Sequence, residues 1–442
     1  MQKMVIRLFL VALCASFVSP HFSLANESQE EAIEVDLKKA ISMALDASEN
    51  YKIEANKVRR NQEEYRKERS RALPQVAGKA SWSNNFQYPD TTAAASVGDY
   101  NLDTGITVNQ KVFTFRKVSS AIKAAKKAIE VSRYGKETLK QKVIYDTKLA
   151  YYSSCLAKRR LEIAKQSYKN AKQNEEILRS YSAAGRASKY DNIKISADIA
   201  SRKPIINNAY TEYYSAMETL KVVIGVNSEA KIRLSQKFPD KYPRFKKDKV
   251  ALSLYRNQPA IKALAKSIEK GEYLIDAKKA AFYPEVSLFS TWNHKGSSND
   301  FEVGGDYLKD YGVAGLKVKV PIWTSGKTAA ELSQARIDKE NAELKYKKGK
   351  KDYLLELDKA LSQYRGYLKT LKSNKEAVRL AKEAFDLSQQ MLEVGKISLT
   401  DLNDSELKLT NEKINKEVTL FNINTTLAKI ERLTLIGEQN DK

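Results

Sequence analysis

Apolar residues recur along this chain with two different spacings, which predict long helices and short strands. In two long stretches, about 116–183 and about 326–393, apolar and small residues stand alternately four and three apart, and neither stretch contains proline. A repeat of 3.5 residues is typical of helices that pack as coiled coils. In four shorter stretches the apolar residues occupy about every second position, which indicates strands. The pattern predicts a mainly α-helical protein with a smaller β part.

The four strand-like stretches separate their apolar and polar residues. Their predicted apolar faces carry Val76, Ala80, Trp82, Leu102, Ile106, Val108, Val286, Leu288, Trp292, Leu316 and Val318. Each stretch has about 10 to 13 residues, with aromatic residues near the ends, as in strands that cross an outer membrane. Hairpins that pack on a soluble core would show the same alternation. The helices, however, use their apolar residues for the seam of the coiled coil, so the sequence provides no evident soluble core.

The chain is a duplication whose two halves are separated by an offset of about 210 residues, and such a repeat indicates one structural plan used twice. Residues 72–76 return as 282–286, with proline in the middle of both, and residues 184–188 return as 394–398, with glycine in second place. Each half closes on an apolar residue followed by Ile and Gly, so Gly225 and Gly437 are expected to correspond.

Each half is predicted to contain a helix of about 35 residues, two strands, the long helix, a turn at glycine and a last helix. The first helices are expected at about 36–72 and 248–281, and the last at about 188–224 and 399–436. At 1.5 Å per residue a long helix spans about 100 Å. The domain organisation is therefore predicted as a signal peptide, a first repeat, a linker and a second repeat, at residues 1–25, 26–225, 226–248 and 249–442.

The first 25 residues have the features of an export signal. Lys3 and Arg7 precede an apolar run too short to span a bilayer, and small residues follow at Ser23 and Ala25. Removal of this segment leaves Cys155 as the only cysteine and His294 as the only histidine. Metal sites and catalytic triads that use histidine or paired cysteines are thereby excluded. The sequence indicates no catalytic residues, no metal site and no cofactor, and hence no enzyme.

The net charge of +23 comes from 77 basic and 54 acidic residues that are scattered along the chain. A basic protein can bind nucleic acid, but an exported one rarely meets it. Basic side chains on solvated helix faces are the expected explanation, and anionic lipid headgroups or an acidic partner are the alternative.

Four strands cannot close a cylinder by themselves. In a bilayer an open sheet edge leaves backbone groups without hydrogen-bond partners, at a cost of several kcal/mol each. The sheet is therefore expected to be shared between copies of the chain. Two copies would supply eight strands and three would supply twelve, and the larger assembly leaves room for a lumen.

These landmarks resemble the TolC-like outer membrane efflux protein family over nearly the whole mature chain. The duplicated helix–strand–strand–helix–helix layout, the proline step into a strand and the turn at 394–402 carry the resemblance. It implies a homotrimer with a shared 12-stranded outer-membrane β-barrel and a long α-helical coiled-coil barrel in the periplasm, with residues 226–248 in a belt around the helices. It also implies a periplasmic adaptor protein and an inner-membrane pump as partners.

The resemblance implies two sites at the helical tips. Those expected to contact the adaptor are Gly185, Arg186, Ser188, Gly395, Lys396 and Ser398. Asp401 and Asp404 match an acidic ring at the periplasmic entrance, and Asp191 matches the partner turn. Lys194 stands where Asp404 would repeat, and it is expected to pair with a neighbouring carboxylate. Simple roles in ending or starting a helix explain the same glycines and aspartates.

At two positions the chain departs from some family members, which close the entrance with Tyr and Arg. Leu392 and Ile397 stand there, so an apolar constriction is expected instead. The predicted function is a passive outer-membrane channel for a tripartite efflux or type I secretion system. The alternative is a soluble periplasmic coiled-coil scaffold or adaptor protein whose hairpins form a docking domain.

Overall fold

The computed structural model shows the described part of the chain as a bundle of long helices with a sheet at one end. The described residues are 33–86, 98–183, 185, 188–235, 238–239, 242–299 and 308–436. The predicted signal peptide and Arg186 lie outside them.

The first half runs through β1 (Ile33–Val35), α1 (Leu37–Ala47), α2 (Glu49–Ser70), β2 (Gln75–Asn84), β3 (Tyr100–Phe113), α3 (Lys117–Ala183) and α4 (Lys189–Ile224). The remainder consists of β4 (Ile232–Leu234), α5 (Lys247–Asn257), α6 (Pro259–Lys279), β5 (Glu285–Ser298), β6 (Leu308–Lys319), α7 (Lys327–Glu393) and α8 (Leu399–Thr434). The same difference in residue number separates both ends of α1, α3 and α4 from the corresponding ends of α5, α7 and α8.

Each half was predicted to begin with one helix of about 35 residues. The structure has two helices there instead, α1 and α2 in the first half and α5 and α6 in the second. The chain is extended at Ser48, between α1 and α2, and at Gln258, between α5 and α6. Ser48 caps α2 by accepting a hydrogen bond from the backbone N–H of Tyr51 at 3.3 Å. Gln258 precedes Pro259, and the proline ring disfavours the helical conformation in the residue before it. The breaks therefore have local causes.

The predicted counterpart of Gly225, Gly437, lies outside the described residues. Gly225 ends α4 in the left-handed region (φ 70°), and Leu435 ends α8 there too (φ 56°). Leu435, and not Gly437, is the residue that the constant offset assigns to Gly225. The two apolar-Ile-Gly segments are therefore out of register with the structural repeat.

The predicted seams of α3 and α7 are inside the bundle. The seam positions from Val143 to Ser182 and from Tyr353 to Leu392 are all buried or half-buried. Helix α3 packs against α2 and α4 of its own half and against α6 and α8 of the other half, whereas α7 packs against α5, α6 and α8. Many seam positions hold Ala or Ser, which lets the helices come close. The halves are thus joined through α3.

The described residues of segment 226–248 pack on the outside of the helices. Its strand β4 pairs in parallel with β1. Phe238 stacks on Tyr152 of α3, with the ring centroids 5.8 Å apart. The Tyr364 hydroxyl of α7 donates to the backbone carbonyl of Pro243 at 3.0 Å.

The sheet has the order β2-β3-β5-β6, and all its neighbours are antiparallel. The register puts Ile106 beside Trp292 and Leu288 beside Leu316, so the predicted apolar residues share one face. This face is open to its surroundings: Val76, Trp82, Ile106, Trp292, Leu316 and Val318 are all more than half exposed. Among the described residues no helix combines the length and hydropathy needed to cross a membrane.

Candidate functional site

The candidate site is the end of the bundle remote from the sheet, where α3 turns into α4 and α7 into α8. Both turns use glycine in the left-handed region, with φ of 72° at Gly185 and 73° at Gly395. A Cβ atom at either glycine would meet nothing within 4 Å. The glycines are therefore required by backbone conformation and not by crowding.

Each helix that starts at a tip has a capping box. The Ser188 hydroxyl and backbone N–H both donate to Oδ2 of Asp191, at 2.7 and 3.0 Å, and the Asp191 N–H donates back to Ser188 Oγ at 3.1 Å. Ser398 and Asp401 repeat this geometry at 2.7, 2.9 and 3.2 Å. The two serines and the two aspartates thus start α4 and α8 by satisfying backbone donors.

These hydrogen bonds lower the pKa of the Asp191 and Asp401 carboxyls below the usual 3.8, with the serine hydroxyl as the largest cause and the charge of Lys194 as a smaller one. Lys194 Nζ donates to Thr400 Oγ1 at 2.7 Å and so links α4 to α8. The structure thus brings Asp191, Asp401 and Lys194 near one another. Lys194 was expected to pair with a carboxylate. Within the chain it donates its hydrogen bond to the Thr400 hydroxyl instead.

The remaining predicted gate residues are placed differently. Asp404 is exposed on α8, one turn after Asp401. Leu392 is only 7 % exposed and lies in an apolar cluster with Leu178, Ile195, Leu399 and Leu402, and Ile397 packs against it. Within the chain, Leu392 and Ile397 therefore hold the tip together. Lys396 is exposed beside Gly395. Among the described residues no three His, Cys, Asp or Glu side chains are grouped as metal ligands.

A buried ion pair above the tip was not predicted. Arg202 of α4 is 4 % exposed and Glu406 of α8 is 1 % exposed. Arg202 Nη1 lies 2.5 Å from Glu406 Oε2 and also donates to Ser167 Oγ of α3 at 2.6 Å, while Nε donates to Asp198 Oδ2 at 2.9 Å. In the sequence, the only indication of this pair is that Arg202 and Glu406 are charged residues at positions of α4 and α8 that face other helices. The network ties three helices together.

The capping boxes give a pH-dependent prediction. Because the folded-state pKa of Asp191 and Asp401 is depressed, the stabilisation is complete above about pH 4, the usual range of the unfolded carboxyls, and disappears as the pH falls through the lower folded value. The double variant Ser188→Ala/Ser398→Ala should have a lower thermal midpoint than the wild type at pH 7. The difference between the two thermal midpoints should become smaller below about pH 4. Ser201→Ala, which removes a hydroxyl inside α4, is the control. A difference independent of pH would contradict the capping role.

A family model and the sequences of known proteins both match this chain over most of its length. The model of the family described as "Outer membrane efflux protein" matches residues 40–226 and again 252–434. The solvent efflux pump outer membrane protein SrpC of Pseudomonas putida is 24% identical over 413 residues, covering 87% of this chain and 84% of its own. The cation efflux system protein CusC of Escherichia coli O157:H7 is 19% identical and covers 85% and 81%.

The same fold occurs among solved structures. The outer membrane channel CmeC of Campylobacter jejuni superposes with a TM-score of 0.80 at 18% identity, covering 90% of this chain and 85% of that one. At this level of identity the comparison establishes the fold alone.

Proposed function

Since this chain belongs to the outer membrane efflux protein family, we propose that three copies form a passive duct that begins in the periplasm and opens through the outer membrane. The protein lies in the outer membrane and functions in efflux. The finer features proposed are the homotrimer, the absence of any chemical step, and the docking of an adaptor protein that connects the duct to an inner-membrane pump.

One observation carries the proposal: a four-stranded sheet with a largely apolar, exposed face stands on helices about 100 Å long. Strands β2 and β6 are the edges of this sheet. Exposed edges and apolar side chains are unfavourable in water, and lipid tolerates the side chains but not the open edges. Three copies would supply twelve strands and pair every edge. A soluble scaffold would have to cover the same face with something else.

The duplication indicates how the copies meet. Within the chain, α3 contacts α8, with Arg432 over the Tyr145 ring at 4.9 Å and Lys148 Nζ 2.6 Å from Glu431 Oε2. By the offset between the halves, α3 corresponds to α7 and α8 corresponds to α4. In the single chain the corresponding surfaces of α7 and α4 do not pack on each other as α3 and α8 do. There Leu355 is 55 % exposed and Val222 is 79 % exposed.

The residues that correspond to this ion pair are Asp358 and Lys221, which contact Lys247 and Glu218 within the single chain. Lys148 corresponds to Asp358, and Glu431 corresponds to Lys221, so the signs are exchanged but still opposite. An interface that repeats the geometry between the halves would therefore bring Leu355 to Val222 and Asp358 to Lys221 of the next copy. This complementarity supports a ring in which every junction, within or between copies, has the same plan.

The tips are assigned two roles. We assign adaptor contact to the turns at the tips, because they are the part of the bundle most distant from the sheet. The described residues of this group are Gly185, Ser188, Gly395, Lys396 and Ser398, all exposed, and Arg186 is added from the sequence alone. We assign the periplasmic mouth to Asp191, Lys194, Asp401 and Asp404. In three copies Asp401 and Asp404 would supply six carboxylates, and such a ring attracts cations and restricts flow. Leu392 and Ile397 would support the mouth from behind.

Conductance across planar lipid bilayers tests the duct and its mouth. The full-length protein should form small channels, and Asp401→Asn/Asp404→Asn should raise their conductance roughly twofold and weaken cation preference at the mouth. Asparagine keeps an acceptor for the Ser398 cap, so the helix start survives. Asp386→Asn, on the exposed side of α7, is the matched control and should leave the conductance unchanged. Equal conductance and selectivity in all three proteins would remove the acidic ring from the proposed duct.

A further inference from the structure

The charges of the sheet are divided between its faces. All lysines of the four strands stand on the face opposite the apolar one, at Lys79, Lys111, Lys295, Lys309, Lys317 and Lys319. The register confirms this, because Lys295 pairs with Lys309 and Ser287 with both Lys111 and Lys317. The apolar face has one carboxylate, Asp310, in contact with His294. The basic residues are thus concentrated on the side that the proposed duct would turn towards water.

Two carboxylates share this face, and both are already occupied. Asp103 Oδ2 lies 3.0 Å from Lys79 Nζ and 3.2 Å from Lys295 Nζ. Glu285 contacts Lys111 at 2.8 Å and Lys117, at the start of α3, at 3.4 Å. Six strand lysines against two carboxylates leave an excess of four positive charges per copy.

The excess is concentrated on the edge strand β6. Lys309, Lys317 and Lys319 are exposed, and no carboxylate within the described part of the chain lies within 4 Å of their ammonium groups. Edge lysines often prevent strands from pairing wrongly. That role requires the edge to stay open, whereas the proposed assembly pairs it.

The duplication also predicts the register at the junction between copies. Within the chain, β3 pairs with β5 so that Asn109 stands opposite Phe289. The offset between the halves converts this pair into Lys319 of one copy and Lys79 of the next. The two hairpins support the conversion, since Gln75 pairs with Asn109 and Glu285 pairs with Lys319 in identical register. Two lysines would face each other at every junction. Asp103 is already shared by Lys79 and Lys295, so the two like charges repel unless a further anion lies between them.

We propose that the lysine face makes the outer-membrane part of the duct selective for anions, and that the exported solutes carry carboxylate, sulfate or phosphate groups. This inference rests on the proposed function. Rings of lysine select anions in pores, and a low-dielectric wall focuses their field on the water inside. The acidic mouth has the opposite sign and lies at the far end of the helices, so the two effects are separable by mutation.

The test measures the reversal potential in a KCl gradient, using channels that carry Asp401→Asn/Asp404→Asn so that the mouth is neutral. In this background chloride should be more permeant than potassium. Adding Lys317→Gln/Lys319→Gln should lower the ratio of chloride to potassium permeability roughly fivefold, because six positive charges leave the lumen of a trimer. Lys317→Arg/Lys319→Arg retains the charges and should preserve the ratio.

The dependence of the chloride preference on salt concentration provides a second test. The chloride preference should weaken between about 0.1 M and 1 M salt, as the screening length shrinks from about 10 Å to about 3 Å. If the double glutamine variant does not assemble, Lys317→Gln alone should shift the ratio in the same direction by a smaller factor.

The outcomes separate the two proposals. Channels that conduct normally, with the same permeability ratio in the glutamine and arginine variants, would overturn anion selection and leave the duct intact. A wild-type protein that forms no channels in the bilayer would remove the duct, and anion selection with it, before any ratio is measured.

Discussion

Replacing Glu406 with alanine is expected to destabilise the helical end of the protein by about 3–5 kcal/mol, because the charge of Arg202 would stay buried without its partner. Arg202 is held on several sides, by Glu406, by Asp198 and by Ser167. It cannot turn out to solvent without breaking these contacts. The loss should appear as a lower thermal midpoint of the helical signal in circular dichroism.

An exposed ion pair provides the control. Arg160 of α3 lies 3.2 Å from Glu212 of α4, with both side chains more than a third exposed. Glu212→Ala breaks this solvent-exposed ion pair between α4 and α3, and such pairs contribute about 0–1 kcal/mol. Its thermal midpoint should therefore stay close to that of the wild type.

A double replacement distinguishes the buried charge from a simple loss of packing. Arg202→Met/Glu406→Leu removes both charges and keeps most of the volume, so it should recover much of the stability lost in Glu406→Ala. If Glu406→Ala were no more harmful than Glu212→Ala, the pair would not be a structural link between the halves.

The sequence predicted the parts of the fold that depend on periodic patterns. A heptad seam is buried in any bundle that the helix can join, and an alternating strand has the same two faces whatever it pairs with. The limits of α3 and α7 and the faces of β2, β3 and β6 were accordingly predicted well. The breaks at Ser48 and Gln258 were missed because the helical periodicity was followed across them, although Pro259 is a local signal for the second break.

The buried pair could not be inferred from the duplication. The counterpart of Arg202 in the second half is Glu412, and the counterpart of Glu406 in the first half is Ser196. Neither pairing is repeated, so the repeat carries no trace of the contact. The contact arises only once α4 and α8 both pack on α3, and the sequence of either half does not contain this information. The Ser–Asp capping boxes, in contrast, are local and are present in both halves.

Cysteines at Leu355 and Val222 are expected to link separate copies of the protein. The double variant Leu355→Cys/Val222→Cys, treated in membranes with a short thiol-reactive linker, should give covalent dimers and trimers on a denaturing gel. The reason is the internal contact between Tyr145 and Arg432, which the offset between the halves transfers to these positions. Each single-cysteine variant should give at most a pair of copies and no trimer.

The native cysteines should not interfere. Burial raises the pKa of the Cys155 thiol to about 12, so very little of the reactive thiolate is present at neutral pH. Cys14 belongs to the predicted signal peptide. The matched control is Tyr145→Cys/Arg432→Cys, which places the same linker at the equivalent contact within one chain. It should bind the linker and migrate as a monomer.

The size of the largest product tests the closure of the ring. Each copy offers one cysteine to the copy on either side, so linking continues until the ring is closed. Twelve strands from three copies predict that the ladder ends at the covalent trimer. Products that extend beyond three copies would indicate a larger ring or an open array. A double variant that stays monomeric while it consumes the linker would show that α7 meets no second copy of α4, and the shared sheet would then lose its structural basis.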